Sequence, residues 1–233
     1  MKNVFLIILY FLLIFEGNAQ GSSSSHSNYD YTSYSVISAN ENLSNAFLES
    51  SSSKESVVYV TSPGISISNS ILQKTGGDTA DEDIKDSEFY GVNAADLVNG
   101  GEVTITGGYI SAQAKGANVV CATNSGKVTI SGTTIESSAT QYARGLHATY
   151  NGRITASNAL ISSQGESCAL LSTCKEEGTI SCTGCGLSSS ESGSPLIYSA
   201  GTITLVELEE QPVGLNVLLL KEKVQQLYKI IQI

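Results

Sequence analysis

Five cysteines, two histidines and one acidic run are the residues of this 233-residue chain whose types and spacing suggest chemistry. The cysteines are Cys121, Cys168, Cys174, Cys182 and Cys185, the last four close together in sequence. Cys182-Thr-Gly-Cys185 has the spacing of half a zinc site, and Cys168 and Cys174 could complete a set of four ligands. Five residues separate Cys168 from Cys174, more than the two to four usual between paired zinc ligands. Three outcomes are open for the four: one or two disulfides, free thiols in a core, or a metal, of which the metal has the least support. No metal or other cofactor is expected. Cys121, left over by the odd count, reads as a small buried hydrophobe.

Nucleophilic catalysis needs a Ser or Cys, a base and an orienting acid brought together in space. His26 lies in a serine-rich segment, and His147 falls where Val120 or Cys121 and Leu171 stand in neighbouring repeats, so it reads as a partly buried or surface histidine. No catalytic residue is assigned. The run Asp78, Asp81, Glu82, Asp83, Asp86 lacks the alternating oxygen spacing of an EF-hand loop and reads as a solvated acidic loop rather than a calcium site. Basic residues within the repeats are few (Lys115, Lys127, Arg144, Arg153, Lys175), and Asp96 is the only acid in the first strand of any repeat. A formal charge of −10 repels phosphate backbones and argues against nucleic acid and anionic membrane as partners.

The elements that must position these residues are set by a recurring phrase: Gly101-Glu-Val-Thr-Ile, Gly126-Lys-Val-Thr-Ile, Gly152-Arg-Ile-Thr-Ala, Gly178-Thr-Ile-Ser-Cys and Gly201-Thr-Ile-Thr-Leu. Its glycines step by 25, 26, 26 and 23 residues. Repeats of that length form solenoids, whose units bury an apolar face only by stacking on one another. Each repeat divides into three short strands separated by Gly- and Asn-rich turns. Stacked in register, Val103, Val128, Ile154, Ile180 and Ile203 form one inward column, and Ile105, Ile130, Ala156, Cys182 and Leu205 a second. Thr104, Thr129, Thr155, Ser181 and Thr204 then form an outward hydroxyl ladder, because strand side chains alternate faces. A one-residue slip would bury those hydroxyls, so the register is specified. The fold class is all-β: a right-handed parallel β-helix of about five to six coils over residues 56–205. The wider spacing between Ile65 and Val103 holds the acidic run as an insertion, and insertions in solenoids gather on one face, often the binding face.

Residues 1–19 read as a signal peptide: Lys2, an apolar run from Val4 to Phe15 and the small-residue site Gly17-Asn-Ala19. The run is shorter than the ~20 residues that span a bilayer, so no membrane insertion is expected after cleavage, and the chain is placed outside the cell or on its surface. Residues 20–55 read as a Ser-rich leader or N-terminal cap, with Asn42-Leu43-Ser44 as a glycosylation triplet on Asn42. Residues 206–233 lack the repeat phrase. They read either as a helical cap on the last coil or as the product of a shifted reading frame, since the neighbouring frame can encode a further coil.

The coils resemble the secreted right-handed parallel β-helix proteins of the pectin-lyase-like superfamily, above all its adhesin-like repeat members. The resemblance rests on the Gly-x-Val-Thr-Ile coils and on Ala117-Asn-Val-Val, Arg144-Gly-Leu-His-Ala-Thr-Tyr150 and Gly193-Ser-Pro-Leu-Ile-Tyr198. It implies a non-enzymatic adhesion or glycan-contact role with a polysaccharide or cell-surface ligand, the turn loops and acidic insertion serving as recognition surface. The alternative it implies is a carbohydrate-active lyase or hydrolase, though no catalytic pattern of the superfamily maps onto these residues. The Thr/Ser ladder adds a third reading, because such arrays resemble the faces of ice-binding solenoids.

Overall fold

The computed structural model describes residues 29–31, 35–139, 141–175, 177–191, 193–206 and 219–220. Its strands, numbered along the chain, form three parallel sheets that wind into a β-solenoid of about six turns. Sheet A has the order β1 (Ser35–Ala39), β4 (Glu55–Val60), β7 (Asp96–Asn99), β10 (Val120–Thr123), β13 (Arg144–Thr149), β16 (Ala169–Cys174), β19 (Ile197–Ser199), β21 (Leu219–Leu220). Sheet B has β2 (Leu43–Ser44), β5 (Ile65–Ser68), β8 (Glu102–Thr106), β11 (Lys127–Ser131), β14 (Arg153–Ser157), β17 (Thr179–Thr183), β20 (Thr202–Val206). Sheet C has β3 (Phe47–Ser50), β6 (Ile71–Lys74), β9 (Tyr109–Ala112), β12 (Thr134–Ser137), β15 (Leu160–Ser163), β18 (Gly186–Ser189).

The Val-Thr-Ile alternation sets the register of sheet B. Val103, Val128, Ile154, Ile180 and Ile203 pair in one column, and Ile105, Ile130, Ala156, Cys182 and Leu205 in the next. Both columns join the apolar core. Sheet C adds Leu48, Leu72, Ile110, Ile135, Ile161 and Leu187 in one row. Sheet A adds Val58, Val120, Leu146, Leu171 and Ile197. A parallel ladder buries such side chains only when coils stack, which is why the repeat period and the core coincide.

The corner between sheets B and C turns at a left-handed residue in each described coil, Asn45, Asn69, Gly107, Gly132, Asn158 and Gly184, with φ from 46° to 63°, and Gly107 is followed by a second, Gly108, with φ 78°. Glycine and asparagine are the residues that adopt this conformation at least cost. Each corner N–H donates to a carbonyl one coil further on, as Gly107 does to Ser131 at 2.8 Å and Asn158 to Thr183 at 3.0 Å. No corner amide is left unsatisfied by the bend.

A coil precedes the boundary expected at residue 56. β1, β2 and β3 pair in parallel with β4, β5 and β6, so most of the segment read as a leader or cap is a coil of the stack. Its phrase lacks Gly-x-Val-Thr, and the inward positions are taken instead by Leu43 and Leu48 among serines, while Phe47 is exposed. The signal-peptide reading of residues 1–19 lies outside the described residues. So do both readings of the tail, except for Val206, which ends β20, and Leu219–Leu220, which pair with β19.

The insertion after β6 is ordered and helical. A 3₁₀ turn at Asp81–Asp83 leads into α1 (Ile84–Tyr90), which ends at Gly91 with φ 74° and a Gly91 N–H donated to the Ser87 carbonyl at 3.1 Å. A left-handed glycine after the last turn is a common way to stop a helix.

Candidate functional site

The solenoid has three outer faces, and the insertion decides which of them is free. Along the outward column of sheet A stand Tyr59, Leu97, Cys121, His147, Ser172 and Tyr198. Leu97, Cys121 and His147 are fully buried although they point away from the core. What buries them is α1 with its following turn, fastened by three side chains of β13. The His147 ring nitrogens lie 3.2 Å from the Ser172 carbonyl and 2.6 Å from the Glu88 carbonyl. Thr149 Oγ1 donates to the Phe89 carbonyl at 2.8 Å, and Arg144 lies 3.7 Å from the Glu88 carboxylate. Lys175 sits 4.4 Å over the Phe89 ring. Carbonyls at a helix C-terminus favour donors and positive charge, and here they receive both.

His147 is therefore a structural clamp. Burial, and after it the charge of Arg144, lowers its imidazole from 6.5 to about 4, against the two carbonyls that favour the charged ring. The ring is neutral at physiological pH and has one N–H to donate, for which the Glu88 carbonyl is the closer acceptor. Replacing His147 with Ala removes that bond and leaves a void beneath α1. The variant is expected to lose about 2–3 kcal/mol of stability in denaturant unfolding. Amide exchange over 84–91 should quicken far more than in sheet B, and uniform loss of protection across both would show that His147 does not act through the insertion.

The acidic run keeps Asp78, Asp81 and Glu82 exposed, yet the segment is held to the coils by specific contacts. Lys54 pairs with Asp83 at 2.8 Å and Lys115 with Asp81 at 2.5 Å. The Lys115 backbone N–H donates to Asp78 at 2.8 Å and Tyr29 Oη to Asp86 at 3.3 Å. The segment docks because its carboxylates meet cations and N–H groups supplied by the coils, a complementarity invisible from the local sequence. Tyr29 and Tyr31 dock too: Tyr29 stacks on Tyr90 at 4.4 Å, Tyr90 on Tyr150 at 5.5 Å and Tyr31 on Tyr59 at 5.7 Å. Among the described residues no group of three His, Cys, Asp or Glu could hold a metal ion.

Sheet B presents a different surface. Thr104, Thr129, Thr155, Ser181 and Thr204 stand in one paired column, the first three exposed and the last two half-buried. Thr106, Ser131, Ser157 and Thr183 form a parallel column two residues on, and Glu102, Lys127 and Arg153 a charged one on the other side. With strands ~4.8 Å apart and alternate residues ~6.6 Å apart, the hydroxyls make a regular, nearly planar grid.

The four clustered cysteines do not gather at one point. None of the five is bridged in the structure, Cys174 being half-buried and the rest buried. Cys168 lies with Ala139 and Ala143 in a cluster of its own, so the four-sulfur set suggested by spacing is not assembled. Asn42 is exposed at the start of sheet B, where its Oδ1 accepts the Ser66 N–H at 2.9 Å.

Asp96 is the chemically unusual residue that sequence reading noted but did not place. It is fully buried, in register between Val58 and Val120 of the core column, and neither carboxylate oxygen has a hydrogen-bond partner. Burial alone lifts its carboxyl from 3.8 to about 7. The available signal was its place in the column, where Val58, Val120, Leu146, Leu171 and Ile197 are aliphatic. No protein-family model, curated protein or solved structure matches the chain.

Proposed function

We propose that this protein is a non-enzymatic, secreted or cell-surface binding solenoid that meets an extended polysaccharide or a glycan-bearing surface with the outer face of sheet B. The observation that carries this reading is the in-register grid of hydroxyls on sheet B, exposed at Thr104, Thr129 and Thr155 and half-buried at Ser181 and Thr204. Hydroxyl columns at strand spacing offer donors and acceptors in a line, which suits a ligand that is itself a line of hydroxyls. The acidic insertion, first read as recognition surface, has Asp78, Asp81, Asp83 and Asp86 paired with groups of its own chain, which favours the uncovered sheet for recognition. No cofactor enters this reading, and in a eukaryotic secretory route Asn42 carries a glycan.

A panel of neutral and charged polysaccharides tests it on the full chain, with Thr129→Glu/Thr155→Glu as the control. Both side chains are exposed, so the pair should change stability by no more than about 1 kcal/mol. Glycan binding should fall about tenfold or more. Equal binding by the variant would remove sheet B from the reading. Shortened or unsaturated chains among the products would replace the reading with the carbohydrate-active alternative. The flatness of the same grid favours one second reading, contact with ice, which predicts thermal hysteresis from the protein and none from the variant.

A further inference from the structure

Cysteines close in sequence have unlike surroundings in the fold. Cys168 turns its thiol to the Glu166 carbonyl at 3.2 Å, and Cys174 ends β16 half-buried beside Lys175. Cys182 and Cys185 are both fully buried in the same core cluster, close enough in the fold to interact, with Cys185 Sγ 3.6 Å from the Thr183 carbonyl.

The pair faces across the corner from β17 to β18, whose bend is Gly184 with φ 60°. Cys182 lies between Ala156 and Leu205 in its column. Cys185 precedes Gly186, which pairs with Leu160, so Ala159 stands beside it in the coil before. One coil earlier still, the corresponding positions hold Ile130 and Thr133. Two alanines against the two thiols leave the sulfurs room to turn towards each other.

We propose that Cys182 and Cys185 form an oxidisable dithiol that closes to a disulfide across this corner, with a small-molecule disulfide such as oxidised glutathione as the oxidant. One cysteine thiolate attacks a sulfur of the donor and expels one glutathione thiolate, leaving a mixed disulfide. The other cysteine thiolate attacks the protein sulfur of that mixed disulfide and expels the second glutathione. The two protein thiols lose two electrons and two protons, and the donor is reduced to two thiols. Both cysteines are sealed in the closed fold, where buried thiols are inert, so exchange takes place while the corner is open during folding. The bond ties β17 to β18, the last strand of sheet C among the described residues, where a coil has the fewest neighbours to hold it.

The full chain, produced through an oxidising compartment, is alkylated in denaturant without reductant and mapped by mass spectrometry. Three of its five cysteines should take the label, and the peptide holding Cys182 and Cys185 should be lighter by two hydrogens. Reductant should lower Tm by about 5 °C. A Cys182→Ala/Cys185→Ala variant, checked for its β-rich circular dichroism, should show no reductant effect. Five labelled thiols, a bond between other cysteines, or a double variant as reductant-sensitive as the parent would each overturn the proposal.

Discussion

Replacing Asp96 with Val is expected to stabilise the solenoid by about 5 kcal/mol at pH 8 and by only about 1 kcal/mol at pH 4. The side chain stands where Val58 and Val120 stand, has no exposure and gives neither oxygen a partner. Burial raises its carboxyl from 3.8 to about 7, so between those values the folded chain holds a proton that the unfolded chain has lost. Stability therefore falls as pH rises through that window, by about 1.4 kcal/mol per unit, and above it the whole cost of a buried, unpaired carboxylate is present. Valine removes the charge and fits the column. What persists at pH 4 is the smaller cost of a neutral carboxyl without partners.

His147 hides this dependence in the parent protein. Its imidazole is lowered from 6.5 to about 4, so between those values the unfolded chain binds the extra proton and stability falls as pH falls. The slope is opposite to that of Asp96 and of similar size over nearly the same range. The parent should look almost flat from pH 4 to 6.5, as far as these two groups decide it, while Asp96→Val should weaken steadily towards acid. Urea unfolding at four or five pH values reads both curves. An equal gain from Asp96→Val at pH 5 and pH 8 would show that the carboxyl does not titrate in this window.

The fold was legible because one physical requirement, burial of an alternating face by stacking, writes itself into every coil. Val103 to Ile203 and Ile105 to Leu205 are columns that can be read by eye. Three kinds of feature were not legible in the same way. The first coil is spelled with Leu43 and Leu48 among serines, and it becomes visible only by its pairing with β5 and β6. The B-to-C corner alternates between Asn and Gly, which share a left-handed backbone but no side-chain chemistry, so letter-matching passes over it. The insertion looked solvated because its partners, Lys54, Lys115 and Arg144, are scattered along the sequence and meet it only after winding. The hydroxyl ladder was foreseen, being a direct consequence of register. The burial of His147 was not, because what covers it comes from nearly sixty positions earlier.

Gly152→Ala is expected to be among the more damaging single methyls that can be added to the stack. A Cβ on Gly152 would lie 2.1 Å from the Ala122 carbonyl oxygen and 2.9 Å from that of Thr149. Gly126 and Gly178 repeat the arrangement, at 2.3 Å from the Val98 oxygen and 2.2 Å from that of Ala148. The glycine that leads the phrase is thus required by the close approach of successive coils, and the obstacle is backbone, which cannot rotate away as a side chain can. Relief means lifting one coil off another and stretching the Arg153 N–H bond to the Gly126 carbonyl, now 2.9 Å. A cost of about 4 kcal/mol or more follows, at the upper end of overpacking effects. Gly132→Ala is the matched comparison: φ is +61°, yet nothing lies within 4 Å of the added carbon, so only the left-handed strain of about 1–2 kcal/mol is paid. Denaturant unfolding of the two variants separates close approach from backbone strain. Because each coil rests on its neighbours, hydrogen exchange in Gly152→Ala should spread into the coils on both sides of the turn. Equal losses in the two variants would mean that the coils can separate to admit a methyl, and the leading glycine would then need another explanation.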